Sequence, residues 1–216
     1  ILCTLLNLAL LVWSVTLWLR NRRLGTFLVA AVAFGLTYDN LILALGNWIG
    51  PGNLLYALSL PRFYLHQLVL PWIILASFEQ VRWLGHSWAQ KPLIRWWMFF
   101  ASVLVMLLGV LTRLIPLDLQ LTSLDGVTRY VDMAAKGPPL VSILSIGFAG
   151  VMGWLLWRRN RYIWLFLTAV LVFIGEGIPL EWVRRIIGSG AEVLFMVAML
   201  VMERRIKAGL KTGNMG

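Results

Sequence analysis

Residues 35–48 read GLTYDNLILALGNW, the distal half of an apolar run that begins at Leu24, and they set Tyr38, Asp39 and Asn40 side by side within it. An acid near the middle of a lipid-facing helix costs about 2.5–3.5 kcal/mol even on the lenient insertion scale, so Asp39 must face protein, water or a ligand. The stretch therefore reads as part of a membrane span with one polar face turned inward.

The rest of the chain agrees with that reading. Its 216 residues are 60% hydrophobic and 13% charged, with 12 Trp, and the mean hydropathy is +0.83, the composition of an integral membrane protein. The opening apolar run has its basic cluster after it rather than before it, which fits a span and not a signal peptide. Cys3 stands alone, so an internal disulfide framework and a CxxC site are excluded. His66 and His86 are twenty residues apart without an HExxH pattern, and no metal is expected.

A bilayer core of about 30 Å takes about 20 apolar residues. Seven segments meet that measure, at 1–19, 24–49, 57–81, 95–115, 139–157, 162–180 and 186–203. The expected fold is thus an all-α, multi-pass bundle of seven transmembrane helices in one domain. Basic residues between spans alternate between dense and sparse. One side carries Arg20, Arg22, Arg23, Arg82, Lys91, Arg95, Arg158, Arg159, Arg161, Arg204, Arg205, Lys207 and Lys211; the other has only Arg113, Arg129, Lys136, Arg184 and Arg185. The N-terminus is therefore expected outside and the C-terminus in the cytoplasm, in the cytoplasmic or another energy-transducing membrane. This asymmetry accounts for most of the net charge of +10, so no nucleic-acid partner is expected. In the outer connection from Pro116 to Pro139, TSLDGVTRYVDMAA is expected as a short surface helix.

An internal echo organises the spans. WLRNRR (18–23) ends the first and WRRNRY (157–162) ends the fifth. Each copy is followed by a span with a distal acid, Asp39 or Glu176, and then by a span ending in an acid and arginines, FEQVR (78–82) or MERR (202–205). The expectation is a 3+1+3 parallel repeat: repeat 1 over about 1–82, a linker helix over about 95–115, the outer loop 116–139, and repeat 2 over about 139–205.

Helix rise places Asp39 about 24 Å above Arg23, Glu176 about 22 Å above Arg161, His66 about 20 Å above Glu79 and Glu192 about 16 Å above Glu203. All four fall in one outer-half layer. Arg62 shares a face with His66 one turn away, so an Arg/His face can meet the carboxylates, or Asp39 and Arg62 can simply lock two helices together. Glu181, Arg184 and Arg185 belong to the turn above. Tyr38, Asn40, Tyr64 and Trp72 are candidate ligand contacts beside Arg62 and Glu181, whereas Trp48 and Trp182 read better as an interfacial belt. Pro71 breaks a backbone bond in the third span. Gly147, Gly150 and Gly153 permit close helix contact.

On YDNLILALGNWIG (38–50), PRFYLHQLVLPWI (61–73), GIPLEW (177–182) and GAEVLFMVAML (190–200), the chain resembles the membrane carotenoid cyclases of the heterodimeric or fused lycopene cyclase type. That family repeats three-helix units, each with an aromatic–Asp stretch, a following Trp, and a proline-led acid pair opening the next helix. Tyr38, Asp39, Asn40 and Trp48 match, with Pro61 expected to open the third span. Arg62 and Phe63 stand where the two acids would be, and the second half offers Glu176 and Ala191–Glu192. The resemblance implies a lipophilic isoprenoid or carotenoid as ligand and acid-catalysed cyclisation, isomerisation or hydration. Glu176 or Glu192 would be the acid and Asp39 or His66 the base. A fixed Arg charge opposes a carbocation and suits an anionic head group.

No soluble cofactor is called for by any motif; a bound carotenoid or other lipid is the expected companion. Two alternatives stand beside the enzyme reading. One is a non-catalytic subunit of a larger photosynthetic or electron-transfer membrane complex, with other membrane subunits as partners. The other is a small-solute transporter, against which both halves lack the PQ dipeptide of the parallel-repeat carriers.

Overall fold

The computed structural model describes residues 2–124, 126–135, 137–176 and 181–212, and their side chains except those of 124, 176, 181–186 and 209–212. These residues form eight α-helices and one hairpin: α1 Leu2–Asn21, α2 Leu24–Ile49, α3 Asn53–Val69, α4 Trp72–Trp83, α5 Pro92–Gly109, β1 Leu119–Leu124, β2 Val127–Asp132, α6 Leu140–Asn160, α7 Trp164–Glu176 and α8 Glu181–Thr212. Four stretches are long and apolar enough to cross a membrane: Leu2–Asn21, Leu24–Ile49, Pro92–Leu114 and Leu140–Asn160. Of the other three expected spans, two run into residues outside the described set, and the third span is interrupted. The third is cut in two at Pro71, whose missing N–H ends α3; tight bonds from Ile73 and Ile74 N–H to the Leu70 and Pro71 carbonyls restart the chain as α4. α7 is described over Trp164–Glu176 and is apolar through Gly175, and α8 is described over Glu181–Thr212.

Two further expectations change. Pro61 lies inside α3 rather than at its start, because the helix already begins at Asn53 behind the Gly50 and Gly52 turn, where both glycines have positive φ. The expected surface helix is instead the β1–β2 hairpin, in which Leu119 pairs with Asp132 and Leu124 with Val127. Asp-Gly between runs rich in Thr, Val and Tyr is a strong hairpin signal, and it outweighs helical propensity in this stretch. The hairpin is fastened to the distal end of α2: Asn47 donates to the Gly126 carbonyl and accepts from the Thr128 N–H at 2.6 Å. Tyr56 and Tyr130 meet edge to face at 5.3 Å.

Helix neighbours close a circuit. α1 packs on α2, α2 on α3 and α4, α4 on α6, α6 on α7, α7 on α8, and α8 on α1, while α5 packs from outside on α4 and α6. α6 and α7 approach closely through glycine: a Cβ on Gly153 would lie 2.5 Å from the Phe166 nitrogen, and one on Gly150 would touch the Ala169 Cβ at 3.4 Å. The two copies of the echo make the same turn. Arg22 and Arg161 both adopt left-handed backbone, at φ 53° and 52°, and each N–H returns to the carbonyl of the echo's Trp, Trp18 or Trp157. Outward faces are apolar, with Leu93, Trp96, Trp97, Leu104 and Leu111 exposed along α5 and its extension, on one of the four stretches long and apolar enough to cross a membrane.

The ends of α2, α4 and α8 meet in a buried polar clamp. Glu203 is 2% exposed and Glu79 1%. Glu203 accepts from Thr26 at 2.5 Å and from Gln80 at 3.2 Å, and lies 3.3 Å from Arg23. Glu79 accepts from Arg82 at 3.0 Å and from Arg95 at 2.6 Å. Burial lowers the Arg23 guanidinium pKa and the Glu203 charge opposes that shift. Gly25 lies between the acids: a Cβ there would sit 3.0 Å from that of Glu79 and 3.5 Å from Glu203 Oε1.

Replacing Glu203 by Ala strands Arg23 in this site and is expected to destabilise the detergent-solubilised protein by about 3–5 kcal/mol, read by thermal unfolding. Gly153→Val, which drives a side chain into the α7 backbone, should cost about 1–3 kcal/mol, whereas Gly150→Ala should stay within about 1 kcal/mol of the parent.

Candidate functional site

At the opposite end of α2 the polar residues are open rather than clamped. Asp39 on α2 faces α3, where Arg62 and His66 stand one turn apart on the same side. Arg62 Nε donates to Asp39 Oδ1 at 2.8 Å, with side-chain exposures of 10% for Arg62 and 39% for Asp39. His66 Nε2 shares a hydrogen bond of 3.1 Å with Ser142 Oγ in the first turn of α6. Glu192 approaches from α8, half-buried.

Three cavities meet at His66. An outer vestibule of about 490 Å³ is walled by Asp39, Arg62, Arg113 and Asp132. Two inner chambers lead from it. One, about 110 Å³, runs between α2 and α3 past Asp39, Arg62 and Glu192. The other, about 140 Å³, reaches between α6, α7 and α8 and is lined by Ile73, Ser142, Ile146, Val172, Glu192 and Phe195. The vestibule has the size of an ordinary small-molecule site, and each inner chamber holds only one end of a larger ligand.

Local sequence explains how the vestibule forms. α5 loosens into a π turn over Val110–Leu114, a feature that recurs at functional sites. It carries Arg113, whose Nη2 donates to the carbonyls of Gly137 and Pro138 at 3.1 Å each. Gly109 lets α3, α5 and α6 converge beneath, since a Cβ there would lie 2.8 Å from Gln67 Oε1 and 2.9 Å from Val141 Cγ2. Asp132 is held by N–H groups of Asp118 and Ala134.

Asp39, Arg62, His66 and Glu192 are thus brought together around one space. Tyr38 and Asn40 are not in its lining: the Tyr38 hydroxyl donates to the Leu58 carbonyl at 2.9 Å, and Asn40 donates to its own helix at the Leu36 carbonyl. Tyr64 is exposed because it lies on the side of α3 opposite the face shared by Arg62, Leu65, His66 and Val69. Trp72 points toward α5, 5.6 Å from the Phe99 ring, and Trp48 is 86% exposed. The side chains of Glu176, Glu181, Trp182, Arg184 and Arg185 lie outside the described residues, as do Asp125 and Lys136. Ser142 and Arg113 were not singled out by sequence reasoning. A hydroxyl three residues after Pro139 and an arginine just after Gly109 were the available signals, and neither is specific.

No family model matches this chain, and no curated protein matches it in sequence.

Asp39→Asn leaves the nearly buried Arg62 without a carboxylate and is expected to cost about 2 kcal/mol in detergent unfolding. Arg62→Met leaves an acid that solvent reaches, and should cost less than about 1 kcal/mol. A reversed order would show that Asp39 is not the solvent-facing partner.

Proposed function

We propose that this membrane protein binds a lipophilic isoprenoid or comparable lipid at the vestibule, admits one end of it to the inner chambers, and transforms that end by acid–base chemistry. The observation that carries this reading is the junction at His66, where a polar vestibule opens onto small, mostly apolar chambers that also contain Glu192. In the seven-span orientation with the N-terminus outside, this junction sits in the outer half of the bilayer. The 3+1+3 repeat draws support from the identical left-handed turns at Arg22 and Arg161 and from the circuit of helix contacts.

The chemistry follows from the residues. Glu192, facing an apolar chamber, is the group to deliver a proton to a double bond, and His66 is the group to remove one from an adjacent carbon. Isomerisation or cyclisation then takes up one proton and releases one; hydration adds the elements of water. Arg62 alone would repel a carbocation, but its 2.8 Å pairing with Asp39 neutralises it as seen from the chamber. Arg113 and Arg62 at the vestibule wall favour a ligand whose outer end is polar. The lycopene cyclase resemblance fits a reaction of this class.

The second reading, a subunit without chemistry, is favoured by α5, which stands outside the helix circuit and exposes Trp96, Trp97 and Phe100.

Native mass spectrometry of the gently solubilised protein, with organic extraction of its companions, separates the two readings. The enzyme reading expects a lone protein carrying a prenyl lipid or polyene. Converted in a host that supplies the lipid, Glu192→Gln and His66→Gln should each lower turnover at least about 100-fold while retaining bound ligand. Full turnover by both variants would remove the assignment, and a stable multi-subunit assembly without lipid would favour the subunit.

A further inference from the structure

At the other end of the molecule, α7 and α8 leave an open groove of about 380 Å³ lined by Trp164, Leu167, Leu171, Leu194, Val197 and Val201. The one polar side chain along its floor turns away from it: Thr168 Oγ1 donates to the Trp164 carbonyl at 2.8 Å. The groove therefore offers hydrocarbon contact and nothing else until its rim. There Tyr162 and Arg205 close it. Tyr162 is fixed by its hydroxyl, which donates to the Ala198 carbonyl at 2.7 Å, and the Arg205 guanidinium lies over the Tyr162 ring at 4.9 Å.

We infer that this groove binds an anionic phospholipid, with one acyl chain along α7 and α8 and its phosphate on Arg205. Three features select that occupant. The Arg205 guanidinium rests over the Tyr162 ring and is exposed, and an exposed guanidinium takes a phosphate bidentately. Among the described residues no carboxylate is ion-paired with Arg205, and the exposed Arg161 and Arg204 are the sequence neighbours of the rim residues Tyr162 and Arg205. From Arg205 back to Leu194 the helix rises about 16 Å, close to half of a hydrocarbon core of about 30 Å, which is the depth one leaflet's chain occupies. On the orientation proposed above, the lipid belongs to the cytoplasmic leaflet, where Trp164 at the groove mouth sits at interfacial depth. The groove and the His66 cavities share no residue, so this site stands or falls independently of the proposed chemistry.

The test is native mass spectrometry of the full chain after exchange into micelles with equal phosphatidylglycerol and phosphatidylcholine of identical acyl composition. The parent should retain phosphatidylglycerol about fivefold over phosphatidylcholine. Arg205→Gln, an exposed change, should abolish that preference while chain retention persists. Leu167→Trp and Val197→Trp fill the groove from its exposed and inner sides, and at least the folded one of the two, checked by circular dichroism, should lose both lipids. Equal retention by the parent, unchanged preference in Arg205→Gln, or undiminished lipid in a folded groove-filled variant would overturn the assignment. So would a lipid-free dimer that the groove-filling changes dissociate, since a second copy would then be the occupant.

Discussion

The rest of the structure hangs on the meeting of Glu203 and Glu79 at the buried ends of α8 and α4. Two carboxylates this close and this dry are tolerable only if each is surrounded by donors. They draw Thr26 and Arg23 from the start of α2, Gln80 and Arg82 from α4, and Arg95 from α5. Four helices are thereby set in register at one level. Because helices are rigid rods over this distance, fixing one end also fixes where Asp39 on α2 and Glu192 on α8 stand some 16–24 Å away, while His66 on α3 is placed by the packing of α3 on α2. Arg23 Nη1 and Gln80 Oε1 are left without a hydrogen-bond partner in the clamp, so its geometry is dictated by the acids and not by every donor's preference.

The turn ahead of α2 shows how sequence encodes this register. Arg22 takes a left-handed conformation that costs a non-glycine residue about 1 kcal/mol, and in doing so it reverses the chain within two residues and delivers Arg23 to Glu203. Arg161 does the same for Tyr162, whose hydroxyl reaches α8 at Ala198. The sequence echo is therefore matched at the level of backbone dihedrals and of what the next residue touches, although arginines at a helix end would arise from membrane orientation alone.

What was legible in the sequence is what depends on helical period and length. Asp39 could be assigned an inward face because lipid forbids the alternative, and Arg62 with His66 could be paired with it because positions four apart share a face. Tyr64 and Trp72 stand away from the cavities because angular position outweighs aromatic character: one is on the far side of α3, and the other follows Pro71, which resets the helix. The Asp-Gly hairpin signal is present in the sequence, and it outweighs the short surface helix that TSLDGVTRYVDMAA could also form. Ser142, Arg113 and the convergence at Gly109 depend on contacts between helices distant in sequence, which a periodicity argument does not reach. The clamp lies between these cases: Glu79 and Glu203 were marked as repeat ends, while their adjacency required the fold.

The two ends of the bundle carry similar residue types and do different things, and the difference lies in how far each carboxylate is engaged. At the clamp every carboxylate oxygen of Glu79 and Glu203 has a donor and almost no exposed surface. Such groups have no spare capacity for a ligand. At the other end Asp39 spends one oxygen on Arg62 and keeps more than a third of its side-chain surface open, and His66 shares a hydrogen bond with Ser142 where three cavities join. A protein stabilised only by its acids would not leave these groups so accessible within an apolar scaffold, because each open polar group near lipid costs free energy that a Leu or Val would not. The asymmetry supports the proposal of binding at the His66 junction, with the clamp as its support.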